Sequence, residues 1–187
     1  MMRVVVGISG ASGAPYAIRL LEVLSAAGVS LSVVLSSTAE QVIATECAGV
    51  DVRALGIPIF EGRDYNAPFA SGSSAPDAMV IIPASMSSVA KVAHGMSDNL
   101  LTRAADVCLK EKKRLIMVPR EMPYSEVHLT NLLRLAQLGV TVMPASPSFY
   151  ARPTTIAQLL DTVIGRVCDH LGLAHQLTRR WGAEEKR

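Results

Sequence analysis

The chain has 187 residues, 50% of them hydrophobic and only 18% charged, with a formal net charge of +2. That length fills one full core, and that composition excludes a disordered chain. The weak, scattered positive charge and scarce aromatics exclude a nucleic-acid surface, and no apolar run is long enough to span a membrane.

The elements follow in chain order as short apolar runs alternating with amphipathic stretches. Val4–Ile8 predicts a buried strand, and Pro15–Ala27 a helix with Tyr16, Leu20, Leu21 and Leu24 at helical spacing, closed by Gly28. Leu31–Leu35 predicts a second strand and Ala39–Cys47 a second helix. The stretch from Gly49 to Pro76 is rich in Gly, Pro and polar residues, with one short strand expected around Ile57–Phe60. A segment of that length is read as a lid or an interface element. Met79–Ile82 predicts a strand, Ser85–Lys91 a helix start, Asn99–Lys112 a helix and Leu115–Val118 a strand. Glu126–Leu138 predicts a helix closed by Gly139, Val140–Met143 the last strand and Thr155–Leu171 the last helix, before a charged tail over about 178–187.

Strand–helix alternation with all-apolar strands predicts an α/β fold, a single doubly wound parallel sheet, Rossmann-like or flavodoxin-like, with helices on both faces. One domain is expected over residues 1–187. Ligands in such sheets bind beyond the carboxyl ends of the strands. Those ends carry Ser9–Ser12, Ser36–Thr38, Ser85–Ser88, Arg120-Glu121 and Ser146–Tyr150, and they are expected to line one polar pocket.

The first turn spaces its glycines as G-x-x-G-x-x-G at Gly7, Gly10 and Gly13. That is neither the dinucleotide fingerprint nor a Walker loop, and Ser36-Ser37-Thr38 stands where an NAD site wants an acid. A helix start with small hydroxyls favours an anion, so a phosphate is expected there rather than NAD. Ser85, Ser87 and Ser88 with Met86 form a second helix start, where capping accounts for one serine more readily than three. Arg103 and Lys110 are seven residues apart and share a helix face, with Asp106 available to pair with either. Arg120 and Glu121 sit at a strand end between Pro119 and Pro123, as a forked cation and a candidate acid/base or simply as a surface ion pair. Tyr150 is a phosphate donor or a core anchor, and Arg166, among Val163, Ile164 and Val167, is expected half-buried with an anionic partner. The four histidines lack ligand spacing, and Cys47, Cys108 and Cys168 predict a reducing compartment without disulfides.

The segments GISGASGA, ASGSSAPDAMVI, DNLLTRAADVCLKEKKRLIMVPREMPYSEVHL, PASPSFYARP and the final RW together resemble the UbiX-type flavin prenyltransferases, within the superfamily of homo-oligomeric flavin-containing cysteine decarboxylases. The resemblance runs from Arg3 to Trp181. It implies a cytoplasmic, metal-independent enzyme that moves a dimethylallyl group from dimethylallyl phosphate to N5 and C6 of reduced FMN. The product, prenylated FMN, serves UbiD-type decarboxylases, and the assembly is a homododecamer with shared sites. It further implies FMN contacts at Gly10, Ala11, Ser12, Ser36, Ser85, Met86, Ser87, Ser88 and Arg120. Ser12 and Glu46 would lie beside the reacting flavin, and Lys110, Glu121, Tyr150 and Arg166 would hold the prenyl phosphate, with Arg103 and Tyr65 nearby.

Two departures stand out: Asp64-Tyr65 where several relatives carry Asp-Trp, and Ser36-Ser37 where many carry Ser-Lys. A cysteine or phosphopantothenoylcysteine decarboxylase is the near alternative. It lacks support because no His precedes His94 and the late loop reads PASPSFYARP. A non-catalytic FMN-binding subunit would not need Lys110, Glu121, Tyr150 and Arg166 together.

Overall fold

The structure is a computed structural model, and it describes residues 1–180 and 182. Trp181, where the family likeness ends, and residues 183–187 of the charged tail lie outside the described residues. The chain divides into two compact units, Met1–Ala145 and Ser146–Arg187.

The first unit holds the sheet: β1 (Arg3–Ile8), β2 (Ser30–Leu35), β3 (Ile59–Glu61), β4 (Ala78–Ala84), β5 (Arg114–Pro119) and β6 (Thr141–Val142). Between them run α1 (Ala14–Ala26), α2 (Ser37–Glu46), α3 (Met86–Ala93), α4 (Leu100–Lys110) and α5 (Glu126–Gln137). The strand order is β3-β2-β1-β4-β5-β6 and every pairing is parallel, which meets the expectation of a doubly wound fold. The order reverses between β1 and β4, and that switch point is where such sheets leave a crevice.

All seven residues of β4 are buried, as a strand covered on both faces requires. Val5, Val34, Met79, Ile81, Leu115 and Met117 join one core with α3, α4 and α5 through Val89, Leu100, Leu101, Ala104 and Leu135. The alternate residues Val4, Val6, Ile8, Val33, Val80, Ile82, Ile116 and Val118 are buried as well, so the opposite face is also covered. α1 packs on β1, β2 and β4 through the apolar stripe that contains Leu20, Leu21 and Leu24.

Residues 49–76 are docked rather than lid-like. They hold β3 and three short 3₁₀ turns, with Phe69 buried and packed edge-on to Phe60 at 5.1 Å. Their backbone is tied down by Leu100 N–H on the Gly62 carbonyl at 2.7 Å, Arg103 Nε on Ala70 at 3.0 Å and Arg3 Nη2 on Ala75 at 2.7 Å.

The second unit holds α6 (Ile156–Leu171), capped by the Thr155 hydroxyl and closed by Gly172 in the left-handed region. Gly172 turns the chain back along the helix. Gly165 leaves room there: a Cβ on it would come within 2.9 Å of the His175 ring.

Candidate functional site at the carboxyl edge

Hydrogen bonds stitch the carboxyl ends of the strands together. Ser36 N–H donates to the Ile8 carbonyl, Arg120 N–H to Ala84 and Ala145 N–H to Pro119. Buried Ser9 bridges β1 and β4, its hydroxyl donating to Pro83 at 2.9 Å and accepting from Ser85 N–H at 2.7 Å. Helices α1, α2 and α3 start on this edge beside the switch point. Ser36 caps α2 by accepting from Ala39 N–H, and Ser85 caps α3 by accepting from Ser88 N–H, its hydroxyl lying 3.1 Å from that of Ser88. A single cap leaves the other first-turn donors, those of Ser37 and Thr38 in α2 and of Met86 and Ser87 in α3, outside the helical ladder. Gly10 is fixed by a close approach, since a Cβ there would collide with the Thr38 side chain.

The start of α1 is filled from within the chain. Gly13, at φ 114° in the left-handed region, and Ala14 both donate their N–H groups to Glu46 Oε2 at 2.8 Å. Burial pushes the Glu46 carboxyl upward. The Ser12 hydroxyl, these two backbone donors and the nearby Arg120 charge outweigh it and hold Glu46 below the ordinary range. The phosphate expected at α1 therefore meets a site already taken by a carboxylate, and the open donors on this edge belong to α2 and α3. Ser12, Glu46 and Arg120 form one cluster.

Arg120 and Glu121 do not pair with one another among the described residues. The Arg120 charge lies near enough to Glu46 to lower its carboxyl, whereas Glu121 accepts from Met122 N–H at 3.0 Å and is exposed.

Arg103 and Lys110 do share one face of α4, which lies against residues 70–72. Arg103 Nη1 pairs with Asp106 at 2.9 Å, so Asp106 takes Arg103 and leaves Lys110 to pair with Glu111. Gly72 is small because a Cβ there would meet Lys110 and Glu111. Lys110 closes α4 just before β5 begins, so it stands at the amino edge of the sheet. Glu121 stands past the far end of β5, whose six residues span roughly 20 Å. Lys110 and Glu121 thus stand at opposite edges of the sheet of one chain, a separation that follows from the crossover topology itself. Tyr65 is about half exposed in the turn after β3.

In the second unit Tyr150 is exposed. Arg166 is also exposed, at 61%, and not half-buried as expected, because its position on α6 turns it away from the stripe made by Val163, Ile164 and Val167. It does have the anionic partner expected: Nη1 meets Asp169 Oδ2 at 2.7 Å. The sequence signal for Asp169 was its i,i+3 spacing from Arg166, which the motif reading passes over.

Among the described residues no group of three or more His, Cys, Asp and Glu side chains is placed to hold a metal ion. No helix among them is long and apolar enough to cross a membrane.

Comparison with known proteins gives the chain a family. The profile of the Flavoprotein family matches residues 1–168. The flavin prenyltransferase UbiX of Thermoplasma acidophilum is 46% identical over 182 residues, which cover 96% of this chain and all of the relative. The crystal structure of AnUbiX (PadA1) in complex with FMN and dimethylallyl pyrophosphate superposes with a TM-score of 0.94 at 37% identity, covering 98% of this chain and 99% of that one. A dodecameric FMN-dependent UbiX-like decarboxylase from Escherichia coli O157:H7 superposes with a TM-score of 0.92 at 40% identity, covering 97% of this chain and all of that one. The chain belongs to the Flavoprotein family and, within it, to the UbiX-type flavin prenyltransferases.

Proposed function

We propose that this chain transfers a dimethylallyl group from dimethylallyl phosphate to N5 and C6 of reduced FMN. The observation that carries the reading is the carboxyl-edge cluster in which Glu46 joins Ser12, the start of α1 and Arg120, beside two helix starts with open donors. Those donors fit a phosphate monoester and a polyol: the α2 and α3 first turns with Ser36, Ser85, Ser87 and Ser88 would take the FMN phosphate and ribityl hydroxyls. Gly10, Ala11, Met86 and Arg120 would border the ring. When bound, reduced FMN supplies the two nucleophilic ring atoms.

The remaining steps belong to the chain. Ser12 donates to Glu46, which its neighbours keep ionised and so able to receive a proton beside the ring. At the donor, the carbon–oxygen bond to phosphate breaks, and fixed cations stabilise the charge that grows on the leaving group. Lys110, Arg103 and Arg166 are assigned that task. Tyr150 adds a hydroxyl donor, Glu121 moves a proton at the departing phosphate, and Tyr65 shelters the prenyl chain.

Because β5 separates Lys110 from Glu121, one chain does not assemble this donor site. A homododecamer in which a neighbouring copy lends Lys110 and Arg103 resolves the separation. The product, prenylated FMN, passes to a UbiD-type decarboxylase. Cytosolic residence suits Cys47, Cys108 and Cys168, which are all free thiols.

The test is anaerobic incubation with reduced FMN and dimethylallyl phosphate, followed by mass spectrometry of the extracted flavin. A flavin heavier by one isoprene unit is expected. Bound FMN of unchanged mass would leave only an FMN-binding subunit, and carbon dioxide released from a cysteine substrate would favour the decarboxylase alternative.

A further inference from the structure

Three donors converge on one carboxylate in the second unit. Asp169 Oδ2 accepts from Arg166 Nη1 at 2.7 Å, and Oδ1 accepts from Arg180 Nη2 at 2.6 Å and from His175 Nε2 at 3.0 Å. The Asp169 side chain is only 18% exposed and the His175 side chain 4%, so this is not an ordinary solvated i,i+3 pair. His175 is itself oriented: its Nδ1 accepts from Leu177 N–H at 3.2 Å, which leaves the proton on Nε2, facing Asp169. Gly165 completes the arrangement, because only a residue without a Cβ lets the returning segment lay His175 across α6.

The outcome is a rigid carboxylate gripping one nitrogen of an otherwise exposed guanidinium. Two guanidiniums against one carboxylate leave one net positive charge. Arg166 keeps its remaining N–H donors for an anion, with less side-chain freedom to lose when the anion arrives. The donors also hold Asp169 ionised, with its carboxyl lowered to about 2, chiefly by Arg180, then by His175 and Arg166 and against the opposing effect of burial.

We infer that Asp169 is a positioning residue that presents the Arg166 guanidinium to the phosphate of the prenyl donor. The inference rests on the reading of Arg166 as a donor-phosphate ligand and deepens it. Asp169 itself touches no substrate; it acts through Arg166, with His175 and Gly165 as its support.

The experiment is a double-mutant cycle on the FMN-loaded enzyme, with KM and kcat for dimethylallyl phosphate measured in wild type, D169N, R166A and the double variant. D169N is expected to raise KM about three- to tenfold with kcat within about twofold, and FMN affinity unchanged. In the R166A background, D169N should add nothing. Equal KM in wild type and D169N beside a raised KM in R166A would overturn the role of Asp169 while keeping that of Arg166. A lowered KM in D169N would overturn it too, by making Asp169 a competitor of the phosphate. Unchanged KM in R166A would remove the reading of Arg166 and the inference with it. If D169N does not fold, D169E takes its place: any KM change it causes must vanish without Arg166, and a change that persists overturns the inference.

Discussion

Replacing Glu46 by Gln tests the site through stability, independently of turnover. Glu46 closes the start of α1 by accepting from Gly13 and Ala14 at 2.8 Å each, with the Arg120 charge nearby. E46Q keeps an acceptor of the same shape and removes the charge. A lost helix-start interaction costs about 0.5–2 kcal/mol, and the charge–dipole part alone about 0.3–1 kcal/mol. Glu46 is exposed, and solvent screening places the expected loss near 1 kcal/mol. For a chain of this size that lowers Tm by about 2–4 °C. The folded carboxyl lies below its unfolded value of 4.5, so the unfolded chain binds the proton more readily. The stabilisation is therefore complete above that value and is lost as pH falls through the lower folded one. Urea unfolding of FMN-free wild type and E46Q should show the full gap at pH 7 and a smaller one at pH 3.5. A gap of equal size at both pH values would refute the assignment of that stability to an ionised Glu46.

Gly10→Ala drives a methyl into Thr38 and is expected to cost about 1–3 kcal/mol, read as a lower urea midpoint. Mixing K110A with E121Q subunits should restore prenyl transfer that neither homo-oligomer shows, because the β5 span puts these residues at opposite edges of one chain; a mixture as inactive as its parts would count against shared sites. Burial pushes the Cys108 thiol up to about 12 and the Cys168 thiol to about 11, so native iodoacetamide labelling at pH 8 should spare both. Peptide mapping that finds modified Cys108 before unfolding would contradict that burial.

Most of the fold was legible because its strands are fully covered. A run such as Ala78–Ala84, apolar throughout, has no other home in a chain of this composition. The boundaries moved where end residues face solvent: Arg3, Ser30 and Arg114 begin strands yet are exposed. Residues 49–76 read as a lid or an interface element, and the structure sets aside only the lid, because their order comes from long-range ties to Leu100, Arg103 and Arg3, which no local pattern displays.

The site was legible as chemistry and only partly as geometry. Ser12, Ser36 and Ser85 stand at strand ends, so the sheet rule located them directly. Glu46 came from family resemblance alone; nothing near Thr45-Glu46-Cys47 announces that its carboxylate folds back onto α1. That contact also explains why the first glycine turn misleads. A helix start attracts an anion whatever its source, and here the nearest anion is on the same chain. The same logic governs the cations. Arg103, Lys110 and Arg166 each rest against a carboxylate close by in sequence, Asp106, Glu111 and Asp169. Each of these pairs is set by short spacing, three residues for Arg103 with Asp106 and Arg166 with Asp169 and one for Lys110 with Glu111, so the anchor of each cation was written beside it in the chain.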